Sequence, residues 1–257
     1  MILLIIILVV LLIYYNYYKN TEHITISNQL INRKVDIDQC LLQHSRKYCK
    51  TIFPDTYRIL NSYNELEQLK KKYNNTDYFI LKTIWGEQRR GLQVINYSNI
   101  NKNNIKQYDQ IQHIIPSLKI NNRIFHIRLY LIIDHKLGNY LYNNGIIIYS
   151  KENNNKIDND NIITASLKSG YQNLDFYNTY NLPKTLNELF NSLDSNISTL
   201  LKNNMITLFK KYLKLKDLNN NKIFMNESSY KHIFGPDIII DSNYQCYILE
   251  VNQYPDL

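Results

Sequence analysis

Phe234-Gly235-Pro236-Asp237-Ile238-Ile239-Ile240-Asp241 is followed, after Ser242-Asn243, by Tyr244-Gln245-Cys246-Tyr247-Ile248-Leu249-Glu250-Val251-Asn252-Gln253-Tyr254-Pro255. The run Ile238 to Asp241, a turn at Ser242-Asn243 and the run Tyr244 to Val251 read as an antiparallel hairpin. Such a hairpin brings Asp237 close to Glu250. Glu250 and Asn252 are two apart, so on a strand they share one side, and with Asp237 they offer three hard oxygen-bearing groups. That supply suits magnesium held by one or two carboxylates plus phosphate oxygens. The alternative is a buried edge strand with capped carboxylates, although Glu inside an apolar strand is uncommon.

Upstream, Tyr78 to Lys82 reads as a strand, followed by Thr83-Ile84-Trp85-Gly86-Glu87-Gln88-Arg89-Arg90-Gly91 and a second strand from Leu92. A loop bounded by Gly86 and Gly91 lets the backbone approach phosphates, and Lys82, Arg89 and Arg90 supply positive charge around it. An ordinary hairpin with a solvated basic tip has the same pattern. The loop is not a Walker loop, because the lysine precedes the glycines.

Ile111 to Pro116 and Phe125 to Ile133 are strand-like runs around Asn121-Asn122-Arg123. Alternation in the second places His126, Arg128 and Tyr130 on one face. An inward arginine needs an anionic partner, either a phosphate or a core carboxylate. Asn143-Asn144-Gly145 reads as a hairpin turn between Leu141-Tyr142 and Ile146 to Tyr149. Asn64 to Tyr73 reads as an amphipathic helix with a basic end. Leu189, Leu193, Ile197, Leu200, Leu201, Met205, Leu208 and Leu213 have the spacing of a core-facing helix over Leu186 to Leu213. Lys151 to Asn161 is a polar, Asn-rich loop. Strands before and after helices amount to an α+β plan.

The chain has 257 residues, enough for one or two domains, and a net charge of +8. Such a charge could suggest nucleic acid, but the lysines and arginines are scattered rather than gathered into one stripe, and a phosphate-binding or acidic-polypeptide partner explains the charge as well. Asn, Ile, Lys and Tyr are abundant and Ala165 is the only alanine, a bias of an AT-rich genome rather than of function. Cys40, Cys49 and Cys246 are odd in number and lack metal-ligand spacing, so reduced thiols are expected.

Ile2 to Ile13 is an unbroken aliphatic run that Tyr14, Tyr15, Tyr17 and Tyr18 extend to Lys19. It reads as a hydrophobic anchor helix over residues 1–19, with a cleaved signal peptide and a buried core helix as competitors. As a helix it would span about 27 Å, against a hydrocarbon core of roughly 30 Å. Lys19, Arg33 and Lys34 on its C-terminal side place the remainder in the cytoplasm, so a membrane-anchored protein is expected.

Several blocks together resemble the tubulin-tyrosine ligase-like family, whose members have the ATP-grasp fold. They are Phe53-Pro54-Asp55-Thr56-Tyr57, Ile80-Leu81-Lys82 with Gly86 and Gly91, Gln112 before Pro116, Arg123-Ile124-Phe125-His126-Ile127-Arg128, Tyr142-Asn143-Asn144-Gly145, Ile163-Thr164, and Asp237 to Asn252. The resemblance runs from about residue 50 to the end and implies an ATP-grasp domain over 50–257, of two α+β subdomains with ATP between them, after the anchor read at 1–19 and a weakly patterned linker or start of an N-terminal subdomain at 20–49. It also implies an ATP- and magnesium-dependent ligase that adds an amino acid to a protein or peptide carboxylate, with tubulin one candidate acceptor. Lys82 would hold ATP phosphates under the Gly86 to Gly91 loop with Arg89 and Arg90, and Gln112, His113, Ile114 and Ile115 would line the adenine slot. Arg128 would face the transferring phosphate or acyl phosphate, and Asp237, Glu250 and Asn252 would hold magnesium.

Four positions depart from the family pattern. Ile124 and His126 replace a Lys and an Asp, Ile148 stands where an arginine is expected, and Ala165 replaces an Asn. The ATP and magnesium set survives better than the substrate set. Two function classes therefore stay open, an active ligase and a noncatalytic nucleotide-binding module with a lost acceptor site, with a basic scaffold for anionic membrane or nucleic acid as a third behind them.

Overall fold

The structure is a computed structural model that describes residues 40–41, 44–59, 63–83, 91–134, 138–150, 157, 174–220 and 231–252. It is a mixed α+β fold with two antiparallel sheets, each covering its own apolar cluster.

A four-residue helix, α1 (Arg46–Cys49), leads into β1 (Thr56–Arg58) and helix α2 (Tyr63–Lys72). Then come β2 (Tyr78–Lys82), β3 (Leu92–Asn96), a short helix α3 (Lys102–Ile105) and β4 (Gln110–His113). The four strands pair antiparallel in the order β1-β4-β2-β3. Phe79 and Leu81 alternate inward on β2 and are closed off by Leu69 of α2, with Tyr57 and Ile111 alongside. The strand-loop-strand reading holds for its described ends, since β2 pairs with β3 and the Thr83 amide donates to the Gly91 carbonyl at 2.9 Å. Residues 84–90, with Gly86, Arg89 and Arg90, lie outside the described residues.

The larger sheet contains β5 (Lys119–Ile120), β6 (Arg123–Arg128), β7 (Leu131–Asp134), β8 (Gly138–Leu141) and β9 (Ile146–Tyr149). Among the described residues α4 (Leu174–Thr179), α5 (Leu186–Ser192) and α6 (Ser195–Asn220) follow, before β10 (Lys231–Ile240) and β11 (Cys246–Asn252) complete the sheet. The strand order is β5-β6-β10-β7-β8, with β9 on β6 and β11 on β10. β10 is long enough to take two partners in tandem. Its first half pairs with β7, and Asp237 and Ile238 pair with Arg128 and Ile127 of β6. The expected single strand Phe125 to Ile133 is therefore broken at Leu129-Tyr130, where the Leu129 amide donates to the Pro236 carbonyl at 3.0 Å. Leu189, Leu201, Met205, Leu208 and Tyr212 of α5 and α6 share a cluster with Ile127, Ile147, Ile238 and Ile248 of the sheet.

The C-terminal hairpin forms as its sequence pattern predicts, with Asp237 opposite Glu250. Asn121 and Asn122 make the β5–β6 turn with φ of 48° and 60°, the left-handed conformation that asparagine tolerates in tight hairpins. Asn143-Asn144-Gly145 is not a hairpin turn, however. β8 pairs with β7 and β9 pairs with β6, so the segment carries the chain between strands that do not neighbour each other. The helix expected over Leu186 to Leu213 is interrupted at Leu193, where an extended backbone (φ −98°, ψ 159°) ends α5. Leu200, expected in the core, is 43% exposed.

Two expectations are corrected outright. Cys40 and Cys49 are joined in a disulfide, Cα to Cα 5.9 Å, rather than standing as reduced thiols, because the chain folds back through α1. The membrane anchor, transmembrane helix and membrane-anchored, cytoplasm-facing placement are also not kept. Residues 1–19 lie outside the described residues, and no helix among the described residues is long and apolar enough to cross a membrane. The run behind that expectation is itself marginal for a bilayer.

Candidate active site

β6, β10 and β11 run side by side and bring together side chains that are more than 100 residues apart in sequence. Asp237 is the cross-strand partner of Arg128 on one side and of Glu250 on the other. Arg128 Nε and Nη2 donate to Oδ1 and Oδ2 of Asp237, the second bond at 2.9 Å, in a two-pronged ion pair. Asn252 Nδ2 lies 3.4 Å from Asp237 Oδ2, 3.3 Å from Glu250 Oε1 and 3.3 Å from the Gly235 carbonyl. Asp237 and Asn252 are buried. Burial pushes the Asp237 carboxyl above its ordinary range, and the hydrogen bond and charge of Arg128 act against that rise.

His126 shares the inward face with Arg128, as the alternation predicts, and its Nε2 comes within 3.7 Å of Asp237 Oδ1. Burial first, and the Arg128 charge second, lower its pKa to about 3. The imidazole is thus neutral near pH 7, and this approach is a neutral contact rather than an ion pair. Its cross-strand partner on β9 is Ile148, which is also buried. Two of the four family departures therefore occupy one place in the sheet. Ile124 lies on β6 opposite Lys119, and Ala165 lies outside the described residues.

The donor chemistry fits a hard divalent cation. Two carboxylates and an amide lie within hydrogen-bonding reach of one another, and they would hold such an ion through the Glu250 carboxylate, the Asp237 lone pairs that Arg128 leaves open and the Asn252 side-chain oxygen turned inward, with phosphate oxygens or water as further ligands. Among the described residues no three His, Cys, Asp or Glu side chains form a metal-ligating group, so an all-carboxylate or thiolate cage is not built here.

The described phosphate and adenine candidates, Lys82, Gly91 and Gln112 to Ile115, lie on the smaller sheet and on the segment that joins the two. Lys82 is buried at the end of β2, paired with Leu92 and Gln110. Gln112 is buried too, but its amide donates to Thr56 Oγ1 at 2.9 Å, so its side chain is engaged within the sheet. His113 stacks on Tyr73 with ring centroids 4.4 Å apart and contacts Asp77 Oδ1 at 3.2 Å. Burial lowers its pKa, against the pull of Asp77. Ile114 and Ile115 begin the crossing between sheets. The Ile114 amide donates to Tyr78 of β2 at 2.9 Å, and the Leu118 amide donates to Ile240 of β10 at 2.8 Å.

Some contributors escaped sequence reading. Tyr73 and Asp77 orient His113 from a helix end and a turn, where nothing in a linear pattern marks them. Gly145 lies against the Arg128 backbone, and its Asn-Gly context pointed only to a turn.

The chain matches the model of the tubulin-tyrosine ligase family over residues 12–257, a stretch that begins inside the N-terminal aliphatic run. It is 25% identical over 186 residues to a probable tubulin–tyrosine ligase of Schizosaccharomyces pombe, covering 66% of this chain and 41% of that protein. The chain thus spans less than half the length of this relative. The α+β architecture and its antiparallel sheets are consistent with an ATP-grasp fold. By the extent of the family match, the chain belongs to the tubulin-tyrosine ligase family.

Proposed function

We propose that this chain is an ATP- and magnesium-dependent ligase that joins an amino acid to a protein or peptide carboxylate. The observation that carries the reading is Asp237 facing both Arg128 and Glu250 on adjacent strands, with Asn252 bridging the two carboxylates. Lys82 and the Gly86 to Gly91 loop, with Arg89 and Arg90, hold the ATP phosphates. The segment Gln112 to Ile115, including His113 and Ile114, receives the adenine, by backbone and apolar contact more than through the engaged Gln112 side chain.

Asp237, Glu250 and Asn252 hold magnesium, which when bound offsets charge on the phosphates. An acceptor carboxylate oxygen attacks the γ-phosphorus and ADP leaves. The amine of the incoming amino acid then attacks the acyl carbon, phosphate departs, and the amine loses a proton. Arg128 stabilises the transferring phosphoryl group by preorganised charge, and no nucleophilic side chain is required. Tubulin is one candidate acceptor.

A second reading, a noncatalytic nucleotide-binding module, draws on the neutral pair His126 and Ile148, where the family pattern carries charge. ADP release separates the two. The full chain, with magnesium and ATP, is offered glutamate-rich and tubulin-tail peptides together with free amino acids. Acceptor-dependent ADP release that disappears in Glu250→Gln supports the ligase. Nucleotide binding without release under any pairing supports the module, and unchanged ATP affinity in Glu250→Gln removes Glu250 from the site.

A further inference from the structure

We infer that the Cys40–Cys49 disulfide is a redox-sensitive brace that couples the order of β11, and with it Glu250 and Asn252, to the thiol–disulfide state of the chain. Its bearing on ATP rests on the ligand reading above, whereas its bearing on β11 does not.

The cross-linked segment touches both halves of the fold. Cys40, Cys49, Ile52 and Phe53 are buried in the cluster under the larger sheet. The amides of Ile52 and Phe53 both donate to the Cys49 carbonyl, at 3.0 and 2.9 Å. The Ile52 carbonyl in turn accepts from the Ile248 amide of β11 at 2.8 Å, two residues before Glu250. On its other side the segment engages the smaller sheet. Arg46 donates to Glu65 Oε2 at 2.6 Å and lies 3.9 Å over the Tyr57 ring, while Lys50 Nζ is 3.0 Å from Asp55 Oδ2.

A four-residue helix has little stability of its own, since one turn fixes several dihedral angles for a single hydrogen bond. The covalent link and the buried packing hold α1 in place. Reduction by a dithiol breaks the S–S bond, with two electrons and two protons passing to Cys40 and Cys49 as the dithiol closes to its own disulfide. The freed segment then loses the covalent part of the constraint on Ile52 and keeps only its packing and hydrogen bonds. Cys246 is a free thiol outside the cross-link, with a pKa that burial pushes up to about 12, and it serves as an internal reference because reduction leaves its state unchanged.

The test uses the full chain before and after dithiothreitol. Alkylation in denaturant followed by mass measurement should count one thiol before and three after, from the three cysteines of the sequence. Hydrogen exchange at the Ile248 amide should quicken on reduction and Tm should fall. Magnesium-dependent ATP affinity should weaken about fivefold or more, the lower end of ordinary coupling between sites. The double variant Cys40→Ser/Cys49→Ser should resemble the reduced protein and ignore the dithiol. If that variant fails to fold, the wild-type titration alone carries the test. Three free thiols in protein isolated without reductant, or unchanged exchange at Ile248 on reduction, would overturn the brace. Quickened exchange without ATP binding in either state would support the brace and count against the ligand reading instead.

Discussion

Arg128 and Asp237 face each other across β6 and β10, and the guanidinium grips the carboxylate by two hydrogen bonds while their side chains are only 16% and 7% exposed. Removing one partner strands the other in a water-poor site. Arg128→Ala should cost about 3–5 kcal/mol in urea unfolding, because a buried carboxylate loses its counter-charge. Arg128→Ala/Asp237→Asn should recover part of that loss. Strictly additive costs in the double variant would show that the pair is not coupled in the folded protein.

Gly145 is packed so closely that a Cβ there would lie 2.5 Å from Leu129 Cδ2 and 2.6 Å from the Arg128 carbonyl oxygen. The leucine can turn aside, but the carbonyl belongs to β6 and cannot. Gly145→Ala should therefore destabilise by about 1–3 kcal/mol and, on the ligase function proposed above, lower ADP release by shifting the strand that carries Arg128. Adding Leu129→Val should leave most of the loss in place, and full rescue by that change would move the clash to the side chain.

Gly91 adopts φ +73°, and a Cβ on it would come within 2.0 Å of Thr83 Oγ1. Gly91→Ala carries a backbone penalty of about 1–2 kcal/mol besides the collision. Combining it with Thr83→Ala should relieve the collision and leave the backbone penalty. Thermal unfolding of the single and double variants separates these terms, and equal Tm values would mean that the collision is absent.

Asp55 Oδ2 receives Lys72 Nζ at 2.7 Å and the hydroxyls of Tyr73 and Tyr57 at 2.6 and 3.1 Å, with Lys50 Nζ 3.0 Å away. Burial by itself would raise its pKa, but the bonds from Lys72, Tyr73 and Lys50 outweigh burial and hold it below the usual range. The unfolded chain then binds more protons once pH falls below about 4, so the stabilisation is present above that pH and is lost toward the lower folded value. Asp55→Asn should narrow the gap between urea midpoints at pH 6 and pH 3. A gap as wide as that of the wild type would assign the acid sensitivity elsewhere.

The hairpin of β10 and β11 was legible because both strands and their turn lie within one short stretch, and a period of two decides which side chains share a face. Strand β2 and helix α2 were legible for the same local reason. The partners of β8 and β9 were not. An Asn-Gly turn specifies only its own backbone, and β10 lies between β6 and β7, so β9 on β6 and β8 on β7 are held apart. Likewise, leucine spacing carried no mark of the break at Leu193. Neither the composition nor the spacing of the cysteines revealed that α1 folds Cys40 onto Cys49.

His126 and Ile148 show the same division within the site. Each is visible in the sequence as a separate departure from the family pattern, 22 positions apart, yet β6 and β9 set them opposite each other as one neutral pair beside Asp237.

The sequence by itself determined the family, the α+β plan and which oxygen-bearing side chains share a strand face, since these follow from residue types and short periodicities. Only the tertiary structure decided that Arg128 takes Asp237 as its partner and that the cysteine loop reaches Ile248. Those contacts join segments distant in sequence, and their energies depend on burial and strand order, which no local pattern encodes.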